Sequence, residues 1–195
     1  MAQFLTTTLA RFATEPVQTS TDARLITSLS ALDWLAVGKA GKNEPVAKIM
    51  RDLARDEAGA GQAQIFGADF LVPARMAALV NGTTSHALDY DDTHFAHIGH
   101  PSVAVFPAAF AMGEVLDCAL VEVLEAALVG MELSVRIGLW LGRDHYQTGF
   151  HQTATAGAFG AAAAAGRLAG LNAERMAHAL GLTATRATGL KVQFG

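Results

Sequence analysis

The sequence predicts an all-α, helical bundle-like domain. Apolar residues recur three and four apart through most of the 195 residues, which is the spacing of a helix face. The hydrophobic share, 51%, comes from Ala and Leu beside 19 Gly rather than from aromatics, a composition that lets helices approach closely. No strand, Gly-rich loop and helix follow one another, so nucleotide-binding motifs are absent. The chain reads as a single helical domain over 1–195, without a repeat or a linker.

The elements follow in order. Phe4, Leu5, Leu9 and Phe12 mark one face of a first helix before Pro16. The amphipathic start lacks the apolar core and cleavage site of a signal peptide, so it reads as a helix. Thr21-Asp22 caps a second helix whose stripe is Leu25, Ile26, Leu29, Leu32, Leu35 and Ala36. Gly38 to Pro45 reads as a loop, Val46 to Leu53 as a short helix, and DEAGAGQ as turns. Gln64 to Gly67 reads as an extended segment. Pro73 then opens a helix, where its missing N–H costs nothing. That helix continues to His86 and Leu88, and Tyr90 to Gly99 is polar and irregular. Pro101 and Pro107 bracket the start of a helix over Ala108 to Leu116. Val121 to Leu141 is a long helix with a stripe of Val123, Leu124, Ala127, Leu128, Met131, Val135 and Leu139. Gly142 to Gln152 is a second polar loop, followed by the Gly/Ala-rich helix of TATAGAFGAAAAAGRLAGL, where Gly157, Gly160 and Gly166 read as packing residues. The last helix is capped by Asn172 and buries Met176, Leu180 and Leu182.

Composition excludes several classes. The net charge is −4 and no basic run occurs, which leaves a nucleic-acid or anionic-membrane partner without support. The longest apolar stretches are broken by Gly, Pro, Glu or Arg, so no membrane span is expected. The single cysteine, Cys118, reads as a packing residue, rules out an internal disulfide and fits a reducing, cytoplasmic compartment. The apolar excess predicts self-association.

The chemistry is concentrated in NGTTSHALDYDDTHFAHIGHPSVAVFP, residues 81–107. Four of the seven histidines and three aspartates fall within fifteen residues there. Asp89, Asp91 and Asp92 leave a helix end together, and mutual repulsion predicts a raised pKa for at least one of them. One more helical turn would put Asp89 and Thr93 on one face. An acid-rich helix end with capping roles is the plain alternative. His94, His97 and His100 are spaced three apart, as a metal-dependent hydrolase would need. Gly99 and Pro101 interrupt the helix that would align them, which favours proton transfer by one of them. His100 is the choice, because the proline after it holds its backbone extended. His151 opens the Gly/Ala-rich helix, where free N–H groups suit a carboxylate; a cap or core role is the alternative. Arg136 and Lys191 read as carboxylate partners or structural ion pairs.

NGTTSHALDYDDTHFAHIGHPSVAVFPAAFAMGE, GMELSVRIG and FHQTATAGAFGAAAAAGRLAGL together resemble the MmgE/PrpD family, from about Ala23 onward. The resemblance implies a large helical domain with a smaller α+β lid that lies outside this chain, usually in homodimers. It implies lyase-type acid–base chemistry on di- or tricarboxylates without a cofactor or metal, as in 2-methylcitrate dehydratase, cis-aconitate decarboxylase and iminodisuccinate epimerase. Asp89 and Thr93 match the acidic and hydroxyl residues of DxDDT, His100 the histidine of the HPS turn, and His151 the histidine opening the small-residue helix. His100 is the expected base, with Asp89 and Thr93 handling the other proton. The family's further lysine and histidine follow a QFG-like segment, beyond Gly195. The chain therefore reads as the N-terminal part of the helical domain, either half of a site or an inactive dimerisation fragment. The loop from Asp92 to His100 is about one residue longer than in the decarboxylases.

Overall fold

Capping chemistry and small residues decide where these helices start and how they meet. A computed structural model describes residues 4–194; Met1–Gln3 and Gly195, where the readings of the two chain ends partly fall, lie outside the described residues. The elements are α1 (Leu5–Thr14), α2 (Thr21–Gly41), α3 (Pro45–Glu57), α4 (Ala74–His86), α5 (Pro101–Leu116), α6 (Leu120–Gln147), α7 (Gln152–Leu168) and α8 (Ala173–Ala184), with a final 3-10 turn at Lys191–Phe194. Among the described residues there is no sheet, only isolated bridges at Ala63–Val72, His94–Gly99 and Phe150–Leu190. The all-α reading holds. The extended segment near Gln64 shrinks to the bridge at Ala63.

Ser20 rather than Thr21 caps α2, accepting the Ala23 N–H at 3.1 Å, and Asn172 caps α8 as expected, accepting from Arg175 at 2.9 Å. Helix α2 runs on through the supposed loop to Gly41, because Gly38 and Gly41 sit against the Phe66 ring and the Thr84 carbonyl, where no other residue fits. Helix α5 begins at Pro101, well before Ala108, and contains Pro107. A proline inside a helix costs about 3 kcal/mol. Here the fully buried Val105 and Phe106 immediately precede it, and burying two such side chains offsets that cost at about 1.5–3 kcal/mol each. Helix α6 continues past Leu141 to Gln147 across a kink at Gly142, whose φ of 72° suits glycine.

Helices α6 and α7 form the centre, with α5 laid on α7, α4 on α5, and α1 on α8. Gly130 and Gly160 face each other there, and a Cβ on either would lie 2.6 Å from the other's carbonyl oxygen. The small residues of α7 are therefore packing residues, as are Gly157 against Ala104 and Gly166 against Met176. A second core gathers Trp34 with Phe66, Phe106 and Phe110, and the Trp34 indole donates to the Ser85 hydroxyl at 3.0 Å.

Three expected faces are corrected. The stripe of α2 points outward: Leu25, Ile26, Leu29, Leu32 and Leu35 are exposed, while Thr27, Ala31, Trp34 and Val37 are buried. The inner face packs Ala31 and Trp34 against Val105, Phe106 and Ala109 of α5 and Val123 and Ala127 of α6. The buried stripe of α6 is Val123, Ala127, Gly130, Leu133, Ser134, Ile137 and Gly138, and Leu139 is exposed. Leu182 is exposed as well, although Met176 and Leu180 are buried as expected.

Candidate active site

The site forms where the segment after α4, the N-terminus of α5 and the N-terminus of α7 converge. They enclose a cavity of about 670 Å³ lined by residues that include His86, Asp89, Thr93, His100, Arg143 and His151. All four residues singled out from the sequence, Asp89, Thr93, His100 and His151, line it. Helix α4 ends at His86, so no helical turn joins Asp89 to Thr93. Asp89 instead takes a left-handed backbone, φ 50°, which Asp tolerates better than most residues, and the chain turns both side chains to the cavity rim.

His100 is the N-cap of α5 in an extended conformation, as the following proline requires. Its backbone N–H donates to Thr153 Oγ1 at 3.0 Å, which ties it to α7. His151 is the N-cap of α7, and its N–H donates to the Gly189 carbonyl at 2.9 Å. Two helix N-termini, each a positive dipole end, thus border one cavity. Arg143 adds a guanidinium that forms no ion pair among the described residues.

Sequence reasoning passed over His86 and left Asp91 unselected. Asp91 is fully buried and lies between two imidazoles: its Oδ1 is 2.9 Å from His86 Nδ1, and its Oδ2 is 3.4 Å from His100 Nδ1, an ion-pair distance. His100 Nε2 is 3.5 Å from the exposed Asp89 carboxylate. The His86 ring meets His100 edge-on at 4.9 Å and stacks on His151 at 6.3 Å. The usable signal was a histidine in the last turn of a helix with an aspartate five residues on.

These contacts separate the charges. Burial alone would raise the Asp91 pKa, but His100 and His86 outweigh it and hold it at about 2. Asp91 in turn pushes His100 up to about 9 against the effect of burial. His100 therefore carries a proton at neutral pH, whereas the base expected from the sequence would have to be neutral. Burial, with His86 and His100 nearby, lowers His151, so it is the neutral imidazole of the pair. The acid with a raised pKa is Asp92, through burial. It accepts from the Ser102 hydroxyl at 2.5 Å and from the Ser102 N–H at 3.2 Å, which makes it a cap for α5.

The His94, His97 and His100 triplet is not assembled as a metal site. His97 is fully buried and turned toward α6, where it fills the space that a Gly138 Cβ would occupy. His94 is exposed, and its Nδ1 accepts the His97 N–H at 3.2 Å. Among the described residues, His86, Asp89, Asp91 and His100 bring ligand-capable atoms within 4.8 Å of one another, and pairing through protons accounts for that closeness. Arg136 forms the structural pair, with Glu132 at 2.6 Å, and Lys191 lies 3.9 Å above the Tyr146 ring. Cys118 packs at the edge of the Trp34 core.

The chain belongs to the MmgE/PrpD family. The family's N-terminal domain matches residues 7–195. The chain is 38% identical to cis-aconitate decarboxylase of Aspergillus terreus over 61% of the chain and 26% of that protein. It is 30% identical to the cis-aconitate decarboxylase-like protein oryM of Aspergillus oryzae over 82% of the chain and 35% of that protein. It is also 30% identical to cis-aconitate decarboxylase of Mus musculus, over 80% of the chain and 33% of that protein. The matched region thus spans about a third or less of these relatives' length.

Burial holds His97 at about 4, below the unfolded value, so the unfolded chain takes up a proton first as pH falls. Stability should therefore drop from about pH 6.5 to about pH 4, with an upper bound of about 3 kcal/mol. In His97→Phe that part of the slope should vanish, leaving the smaller share from His145 and His151, which shift in the same direction. Urea midpoints against pH check this. Parallel curves for the two proteins would refute it.

Proposed function

We propose that this chain supplies the acid–base face of a lyase acting on a small di- or tricarboxylate, 2-methylcitrate dehydratase-like or cis-aconitate decarboxylase-like. The observation that carries the reading is one cavity holding a cationic imidazole, His100, and a neutral one, His151. Enzymes that move protons beside a carboxylate need both forms at one pH. His151 removes a proton from the carbon next to a substrate carboxylate. The His100 imidazolium and Arg143 face the negative charge that develops on the carboxylate oxygens. In dehydration His100 gives its proton to the departing hydroxyl. In decarboxylation His151 removes no proton: the electron pair of the breaking C–C bond stays with the substrate as carbon dioxide leaves, and His100 gives its proton to the resulting carbanion. Asp89 and Thr93 sit at the rim, where they bind substrate hydroxyls and return a proton to His100. The steps are proton transfers and call on no cofactor.

In the full-length protein, His100→Ala and His151→Ala should each lower kcat/KM for 2-methylcitrate or cis-aconitate at least roughly a hundredfold. Unchanged rates in both would end the assignment. We infer too that a second copy of the chain covers the outward stripe of Leu25, Ile26, Leu29 and Leu32, since a contiguous apolar face favours self-association. Sedimentation should show a dimer that Leu29→Glu dissociates, and a wild-type monomer would contradict it.

A further inference from the structure

We propose that Asp91 is a positioning residue shared by His86 and His100: this one buried residue orients both rings, fixes the tautomer of His86 and keeps the cavity's cation on His100. The inference rests on the acid–base reading above and adds two residues to it.

The carboxylate can only accept, so the ring nitrogens facing it must carry the hydrogens. Oδ1 takes the His86 Nδ1–H at 2.9 Å. The His100 Nδ1–H goes to the Asp91 backbone carbonyl at 3.2 Å, and Oδ2, which has no hydrogen bond of its own, stands 3.4 Å from the same nitrogen as its ion-pair partner. With both Nδ1–H groups committed, the Nε2 atoms are the ones left for the cavity, and for neutral His86 this is the tautomer control that an orienting carboxylate gives to histidine. No lysine or arginine among the described residues pairs with Asp91. An isolated buried carboxylate would be costly, so the two imidazoles are what keep it ionised, and it in turn keeps His100 charged.

The groups around His100 come from every side. Asp89 and Asp91 face it from the segment after α4, His86 from α4, His151 from the start of α7, His94 and His97 from its own loop, and Arg143 and Tyr146 across the cavity from α6. Only the two aspartates are anionic. The Asp89 side chain is 80% exposed and Asp91 has no exposure, so water screens the first far more than the second. Asp91 therefore dominates the charge state of the ring, which agrees with its rank as the leading cause of the raised His100 value. The same carboxylate holds His86 in place against His151, giving the neutral base a packed neighbour on one face.

The test is the pH dependence of kcat/KM in the full-length protein carrying Asp91→Asn. The wild type should lose activity on the alkaline side near pH 9, where His100 gives up its proton. In Asp91→Asn that limb should move to roughly 6.5, so relative to wild type the activity falls about 20-fold more at pH 8 than at pH 6. Asp91→Glu, which keeps the charge, should hold the limb near its wild-type position. A purely structural role would lower the rate by one factor at every pH, and that result overturns the inference. If Asp91→Asn does not fold, the wild-type profile decides: an alkaline limb near 6.5 overturns it, and one near 9 supports it. Loss of activity in His100→Ala together with an unshifted Asp91→Asn profile would remove this inference alone and leave the acid–base reading standing.

Discussion

Helices α6 and α7 approach until backbone meets backbone at Gly130 and Gly160, and the loops that carry the chemistry are fastened to that pair. Two turns further along α6, Gly138 leaves the space that His97 fills, while its carbonyl accepts the Gln152 amide of α7 at 2.8 Å. The next residue, Thr153, accepts the His100 backbone N–H. The position of the His100 ring therefore depends on a glycine contact deep in the bundle through a short series of packed groups. Interiors at crystal-like density transmit such constraints, because a displaced side chain has nowhere to go.

On that frame the same residue type is driven to opposite charge states. His97 has burial and no anion, and it stays neutral down to about pH 4. His100 has partial burial and an ionised carboxylate at one edge, and it stays charged up to about pH 9. A buried anion a few ångströms away outweighs desolvation, because the Coulomb attraction grows as the local dielectric falls. The cavity then presents an acid and a base at one pH without either residue type being unusual.

Much of the bundle was legible in the sequence. Periodicity and the Asn172 cap located α8, and the apolar run from Val121 located α6. The DYDDT and HPS elements held three of the four chosen residues and the FHQ segment the fourth, His151, and all four line one cavity. What the sequence concealed was orientation. The leucines of α2 have helical spacing whichever side faces inward, and it is packing against α5 and α6 that takes Ala31 and Trp34 in. Pro107 looked like a boundary because its local cost is visible and the burial that offsets it is not. Three neighbouring aspartates look alike in sequence, yet Asp89 is exposed, Asp91 lies buried between histidines and Asp92 caps a helix. Local spacing does not distinguish those fates, because each depends on a partner brought in by the fold.

The account turns on the protonation of His100 next to a buried, ionised Asp91. The direct measurement is a pH titration of the histidine ring nitrogens by long-range proton–nitrogen NMR in the wild-type protein. It should find His100 doubly protonated at neutral pH with a midpoint near 9, and His86 with its hydrogen on Nδ1 when neutral. A His100 midpoint near the ordinary value of about 6.5, or His86 with its hydrogen on Nε2, would contradict it.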